Sequence, residues 1–341
     1  MANNAVISER VQNTTNQFIF PKMVDTVLNS NVLTQRLLSK GKKWSGERMQ
    51  FPVKVAKNTT GGSFAGLDTF SVQAQNNSKK LEFFPSFVQK TTAIPLTDVS
   101  ANKTDEGVLN LLELQMTSDA QDLADDIGTM FYGDGTGNSN KDFLGLAAIV
   151  DDGTTASTYG GLSRSTYTSL KSTVDSSSST LSISKMYSLL NGAKSGSQKP
   201  TLGICDESVF ALYASLLTPQ EQIVKDVGMM KNGLIGGTGF VGLNFAGIPI
   251  IADEKATSGV LFFINEDFLD FYGLPMANTK PISLSNSEIV GNDYSGSYGF
   301  TTSGLLTPID QAAIVANMYV GGQLVSSNPK RHAKATGLTS V

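Results

Sequence analysis

Between Thr104 and Met130 the apolar residues Leu109, Leu112, Met116, Ala120, Leu123, Ile127 and Met130 recur every three or four positions. Acidic side chains occupy many of the places between them. This spacing predicts one amphipathic helix, which at about 1.5 Å per residue spans roughly 40 Å and acts as a beam. Thr104 is placed to cap it, and Asp105 and Glu106 fall in the first turn, where the positive end of the helix dipole favours acids. The pattern breaks at Phe131-Tyr132-Gly133-Asp134-Gly135-Thr136-Gly137, with Gly133 expected to end the helix in a left-handed conformation.

Other periodicities divide the chain into five segments. Residues 1–41 hold too few apolar positions for a core and read as an N-terminal arm, with a short helix expected to start at Pro21. Residues 42–97 read as an extended β-hairpin loop entering a peripheral domain. Phe51-Pro52-Val53-Lys54-Val55 has strand period, Leu81 to Phe84 and Phe87 through Leu96 form the returning side, and residues 58–66 are turn-rich. A long isolated hairpin is marginal in water, so this one needs outside support. Residues 98–144 carry the beam and the glycine turn. Residues 145–304 read as a mixed α/β unit, with a helix from Ile183 to Leu190, a strand from Thr201 to Cys205 leading into a helix through Leu217, and core strands at 247–251 and 260–264. Residues 305–341 contain one long strand, Ala312 to Val325, and then a basic tail.

Charge sharpens this division. Residues 1–50 carry seven bases against three acids, a balance of +4. Residues 98–126 carry eight acids against Lys103, a balance of −7. The opposition points to pairing between segments or between chains. The net charge of −4 argues against a general nucleic-acid binder. No apolar run reaches the length of a membrane span, and the first residues lack the basic and apolar stretches of a secretory signal. With 40% hydrophobic and 16% charged residues the chain reads as a folded protein sparing of surface charge, as expected either where surface is given over to neighbours or in a weakly charged monomer.

Candidate chemistry is thin. The loop at 133–137 lacks the Gly-Lys-Ser/Thr ending of a phosphate loop and follows a helix, so it reads as a structural turn built on Gly133, Asp134, Gly135 and Gly137. Asp134, Thr136, Asn138, Asn140 and Asp142 alternate like a calcium loop but lack its central glycine and closing glutamate. Asp119, Asp122 and Asp126 share one helical face, readable as a solvated face, as the seat of a basic partner, or as paired carboxylates for catalysis or metal binding. The one histidine, His332, lies in the basic tail, and there is no Gly-x-Ser-x-Gly elbow for a hydrolase. Cys205, the single cysteine, excludes an internal disulfide and reads as a small core residue. No catalytic residue, cofactor site or metal site is expected.

The helix running into Gly133-Asp134-Gly135-Thr136-Gly137, followed by Gly145-Leu146, resembles the major capsid proteins of tailed bacteriophages. The resemblance extends to Thr201-Leu202-Gly203-Ile204-Cys205-Asp206-Glu207, to Ala246-Gly247-Ile248-Pro249-Ile250-Ile251 and to Asn328-Pro329-Lys330-Arg331, in the family's order. It implies an α+β fold with an N-terminal arm, an extended β-hairpin loop, a peripheral domain with a long spine helix, and an axial α/β domain. It also implies a virion component, assembled in the host cytoplasm as pentamers and hexamers into an icosahedral shell around double-stranded DNA. Partners would be other copies of the chain, with scaffolding, portal and decoration proteins and weak, non-specific DNA contact, and no membrane.

Subunit-interface candidates under this resemblance are Arg10, Phe18, Phe20, Lys22, Arg36, Trp44, Lys54, Lys57, Phe64, Asp119, Asp122 and Asp126. Some members crosslink an extended-loop lysine to a neighbour's asparagine, but no motif here identifies such a pair. A bacterial nanocompartment (encapsulin-like) shell protein is the alternative within the fold, and a hydrolase the alternative of another class.

Overall fold

A computed structural model describes residues 31–70, 72–102, 111–217, 243–274, 280–281, 300–308 and 310–339. The described residues include the helices α1 (Val32–Ser39), α2 (Leu96–Asn102), α3 (Leu111–Tyr132), α4 (Leu146–Ile149), α5 (Ile183–Ala193) and α6 (Glu207–Leu217). The expected start of the beam at Thr104 and the expected helix at Pro21 lie outside the described residues.

Among the described residues, two six-stranded sheets organise the fold. The first is built on the long strand β15 (Ala313–Ser326), which pairs antiparallel with β4 (Ser86–Pro95), β12 (Leu269–Gly273) and β14 (Phe300–Leu306). β1 (Lys42–Lys43) and β13 (Lys280–Pro281) extend it. The second has the order β7 (Thr173–Asp175), β16 (Ala333–Ala335), β11 (Leu261–Ile264), β8 (Leu202–Cys205), β10 (Ile248–Ala252) and β9 (Leu243–Phe245). Separate small ladders join β2 (Met49–Lys54) to β3 (Ser78–Phe83) and β5 (Thr158–Tyr159) to β6 (Leu162–Ser163).

The period of two in β11 shows how the core is shared. Leu261 and Phe263 face Cys205, Ile250, Met186 and Val209, a cluster that buries the apolar sides of α5 and α6. Phe262 and Ile264 face the opposite way, into the cluster that holds Leu123, Ile127 and Phe131 of α3. All four residues of β11 are therefore buried, and the continuous apolar run in the sequence is that of a strand covered on both faces. The buried stripe of α3 follows the predicted spacing through Leu123 and Ile127, then turns through Phe131 rather than Met130. Phe131 stacks between Phe143 and Phe271, with ring centroids 6.2 and 5.5 Å away, which ties the beam's end to the first sheet.

The structure departs from the sequence reading in three places. Residues 31–41 are no loose arm: α1 buries Val32, Leu33, Leu37 and Leu38 in the shared core. The hairpin's returning side is β3 alone; β4 leaves it and pairs over ten residues with β15. Strand period gave both segments away, but not their partners, because β15 lies far along the chain and pairing is set by non-local packing. Finally, the basic stretch after β15 is no free tail: Lys330 and Arg331 lie in a short 3-10 helix, Pro329–Arg331, and Lys334 lies in β16, which inserts between β7 and β11 with all three of its residues buried.

Candidate assembly surfaces

The described residues between β2 and β3, 55–70 and 72–77, run without regular secondary structure. At the base, Val55 N–H donates to Asn77 O at 2.9 Å, and Leu81 and Phe83 are buried against the body, Phe83 lying 5.3 Å from the Tyr159 ring. Further out the loop exposes apolar side chains: Phe64 is 66% exposed, Leu67 102%, Phe70 67% and Val72 93%. Phe64 and Phe70 pack edge to face at 5.1 Å, so they form a preset pair rather than isolated side chains. Lys54 and Lys57, on the same excursion, are exposed as well. Apolar groups gathered in this way, with polar neighbours, are the physical mark of a contact surface. The hairpin's root thus rests on its own subunit and its outer part does not.

The acidic face of α3 already has partners within the chain. Asp126 accepts from Lys90 Nζ at 2.9 Å, Asp119 from Thr92 Oγ1 at 2.5 Å, and Asp125 pairs with Lys255 at 2.7 Å. The Lys90 ammonium is held above its ordinary pKa, chiefly by its hydrogen bond to Asp126, with Asp122 and Asp119 adding to the field. A basic partner for this face is therefore supplied by β4 of the same chain. Asp122 is the exposed member, without a hydrogen bond or ion pair among the described residues, and it is the clean probe of intersubunit charge. Asp122→Lys is expected to leave the subunit's stability within about 0.5 kcal/mol, as for an exposed site, while lowering particle yield; equal yields for variant and parent would remove Asp122 from the interface.

Two other interface candidates sit inside the subunit. Trp44 is 1% exposed and its Nε1–H donates to Gly46 O, so its ring is core packing and is unavailable to a neighbour. Arg36 makes two 2.7 Å bonds to the Glu266 carboxylate, joined by Lys40, and so clamps α1 to the turn before β12. Burial raises the Glu266 pKa, but the Arg36 hydrogen bond and charge outweigh it and hold it below the usual range. Arg10, Phe18, Phe20 and Lys22 lie outside the described residues.

The glycine turn is structural, with its roles redistributed. Gly133 closes α3 by donating to Met130 O at 3.0 Å, but it is Gly135 that takes the left-handed conformation, at φ +80°. A Cβ on Gly145 would collide with Gly133 O and lie 2.5 Å from Met130 O, so the close crossing of these strands of chain demands glycine. Asp134 Oδ1 accepts from both the N–H and the hydroxyl of Thr136, bonds that lower its pKa and hold the corner. Gly137 abuts the Asp142 carboxylate.

Sequence reasoning missed a buried charge cluster that ties the loop after α4 to β16 of the second sheet. Arg164, 0% exposed, donates to the carbonyls of Ala148, Ile149, Ala156 and Leu170 and to Asp151 Oδ2. Asp151 also accepts from the N–H groups of Gly153, Thr155 and Ala156 and from Lys334 Nζ at 3.2 Å. Burial pushes the Asp151 pKa up, but the backbone donors and Lys334 together hold it below the ordinary range. The adjacent Asp152-Gly153 is a turn signal from which this loop could have been found; nothing in the sequence marks Arg164 as its partner.

His332 is fully buried, its Nδ1 accepting from Asn265 N–H at 3.1 Å and its Nε2 lying 2.8 Å from Ser326 Oγ. The proton therefore sits on Nε2 and is donated to Ser326, the reverse of what a serine nucleophile needs from its base. Burial alone lowers the His332 pKa to about 3. A depressed histidine pKa means the unfolded chain binds the proton more readily. Its burial is thus free of penalty above the ordinary value of 6.5 and increasingly unfavourable as pH falls from there towards about 3. Urea unfolding between pH 6.5 and 4 is expected to lose about 1.4 kcal/mol per unit from this group, a slope that His332→Gln removes; an unchanged slope in the variant would contradict the assignment.

No family model and no curated protein matches the sequence. Solved structures do match, over nearly the whole chain. The capsid asymmetric unit of cyanophage A-1(L) superposes with a TM-score of 0.74 at 14% identity, covering 98% of this chain and 100% of that one. The capsid of the Myoviridae phage XM1 gives 0.59 at 11% identity, covering 98% and 100%. The holo-SrpI encapsulin complex of Synechococcus elongatus PCC 7942 gives 0.60 at 12% identity, covering 98% and 96%. The chain has the α+β fold of tailed-phage capsid proteins, a fold that an encapsulin also matches.

Proposed function

We propose that this chain is a major capsid protein of a tailed phage, assembling as pentamers and hexamers into an icosahedral shell around double-stranded DNA. The observation that carries this reading is end-to-end similarity in fold to a cyanophage capsid subunit, at a TM-score of 0.74 with both chains covered almost completely. The exposed apolar pair Phe64–Phe70 beside Leu67 and Val72 supports it, because a surface of this kind is costly to leave in water unless a neighbour covers it. In this reading residues 54–72 of one copy, with Lys54, Lys57 and Phe64, rest on an adjacent copy, and Asp122 faces a base. Scaffolding, portal and decoration proteins and weak DNA contact belong to the same reading, as do virion location and assembly in the host cytoplasm.

The match to an encapsulin favours one second reading, a nanocompartment shell loaded with protein. Purified particles distinguish the two by their contents. When the protein is isolated from its native source, nuclease-protected double-stranded DNA is expected inside; shells holding a single protein cargo and no nucleic acid would transfer the assignment to the nanocompartment.

A further inference from the structure

The described arginines show how this chain treats a guanidinium. Arg36 forks onto Glu266, Arg48 reaches Glu82, and the buried Arg164 donates to four carbonyls and to Asp151. Among the described arginines Arg331 is the exception. Its Nε and Nη1 are buried and have no hydrogen-bond partner, while the residue as a whole is half-buried. It enters no ion pair among the described residues. Burying a charged group is unfavourable unless something pairs with it, and arginine cannot escape by losing its proton.

Arg331 ends the 3-10 helix Pro329–Arg331, which packs against a second one, Thr168–Leu170. The contact is pinned alongside, where Ser172 Oγ donates to Pro329 O at 2.6 Å and Thr173 N–H to His332 O at 3.3 Å. The facing turn carries another orphan, Ser169 Oγ, buried and without a partner. Three of the eight buried, unpaired side-chain atoms among the described residues therefore lie on these two touching turns. Lys171 follows one turn and Lys330 belongs to the other, and neither ammonium forms a hydrogen bond or ion pair among the described residues. The charges carried here are thus all positive.

Water can satisfy a neutral hydroxyl, but it leaves a fixed positive charge uncompensated. The partner these groups call for is an anion with several acceptor oxygens. A phosphate group meets that need, because its oxygens accept from a guanidinium fork, a hydroxyl and an ammonium together, and arginine suits it best. We infer that the corner between Thr168–Leu170 and Pro329–Arg331 binds a phosphate group through Arg331 and Ser169, with Lys171 and Lys330 adding charge. The site stands without the capsid reading. Only its occupation by a backbone phosphate of enclosed DNA rests on that reading, and it would give the weak DNA contact a defined seat.

The test is calorimetric titration of sodium phosphate into the purified chain, against sodium chloride at matched ionic strength. Saturable one-to-one binding is expected, weakened at least about tenfold in Arg331→Met and severalfold in Ser169→Ala. Thermal unfolding separates a ligand site from a structural tie. The parent's midpoint is expected to rise with phosphate. Arg331→Met, relieved of an unpaired charge, is expected to unfold no lower than the parent in phosphate-free buffer and to ignore phosphate. Three results would overturn the inference: no saturable binding by the parent, parental affinity in Arg331→Met, or a variant that misfolds or unfolds well below the parent. A short DNA duplex then distinguishes the sources. Displacement of bound phosphate by the duplex identifies a DNA phosphate, and phosphate binding without displacement identifies a free phosphate, as inorganic ion or nucleotide. Shell formation is read separately: a parent that binds phosphate but makes no particles would sink the capsid reading and leave this site standing.

Discussion

Asp151→Ala is expected to lower the subunit's stability by about 3–5 kcal/mol, the cost of breaking a buried ion pair by removing one partner. The substitution strands the Arg164 guanidinium and the Lys334 ammonium in the interior and leaves the N–H groups of Gly153, Thr155 and Ala156 without their acceptor. Arg164 remains bonded to four carbonyls, so the loss falls mainly on Lys334 and the loop. That loop joins α4 to the second sheet through Lys334 of β16, whose Nζ also donates to Ala147 O. Urea denaturation of the unassembled chain at pH 7 measures the effect; a change below about 1 kcal/mol would show that the cluster is not a tie. The sign with pH is fixed by the lowered Asp151 pKa. Its contribution is complete above the ordinary carboxylate value of 3.8 and is lost only as pH falls through the depressed value in the folded chain. Acid sensitivity near pH 5 therefore belongs to His332 and not to Asp151.

The second large effect is on assembly and not on folding. Replacing Phe64, Leu67 and Phe70 together with serine removes three side chains that are each at least 66% exposed, so the subunit's own unfolding should shift by less than about 1 kcal/mol. Full burial of such a side chain against a neighbour contributes about 1.5–3 kcal/mol. Losing even half of that from each residue weakens every loop contact by roughly 2–4 kcal/mol, or about 30- to 1000-fold in its equilibrium constant. Light scattering during assembly should show no particles from the variant at concentrations where the parent assembles fully. Particles at parental yield would mean that the apolar cluster does no work between subunits.

Much of this was readable in the chain, because the informative elements are local. The α3 stripe, the end of that helix beside the glycine turn, α5, β8 into α6 and the long β15 all follow from periodicity and turn residues within one window. What stayed hidden was set by distant partners. β4 carries the same strand pattern whether it returns a hairpin or borders a sheet, and only β15 decides between them. The aspartates of α3 looked unpaired because Lys90 and Lys255 are remote in sequence. Trp44 and the stretch after β15 were misjudged for a related reason: an aromatic or a lysine near a polar loop gives no sign of the cavity that receives it, as Lys334 shows by lying buried beside Asp151. Charge patterning located the pairing partners by class and left open whether they lay in the same chain or another; for Asp125 and Asp126 the fold supplies them in cis.

The most direct test is a cryo-electron microscopy map of the purified, assembled protein. Closed polyhedral shells are predicted, with residues 55–77 of each subunit lying against an adjacent one and Phe64, Leu67 and Phe70 covered there. Monodisperse monomers at high concentration, or shells in which that loop folds onto its own subunit and touches no other, would contradict the account.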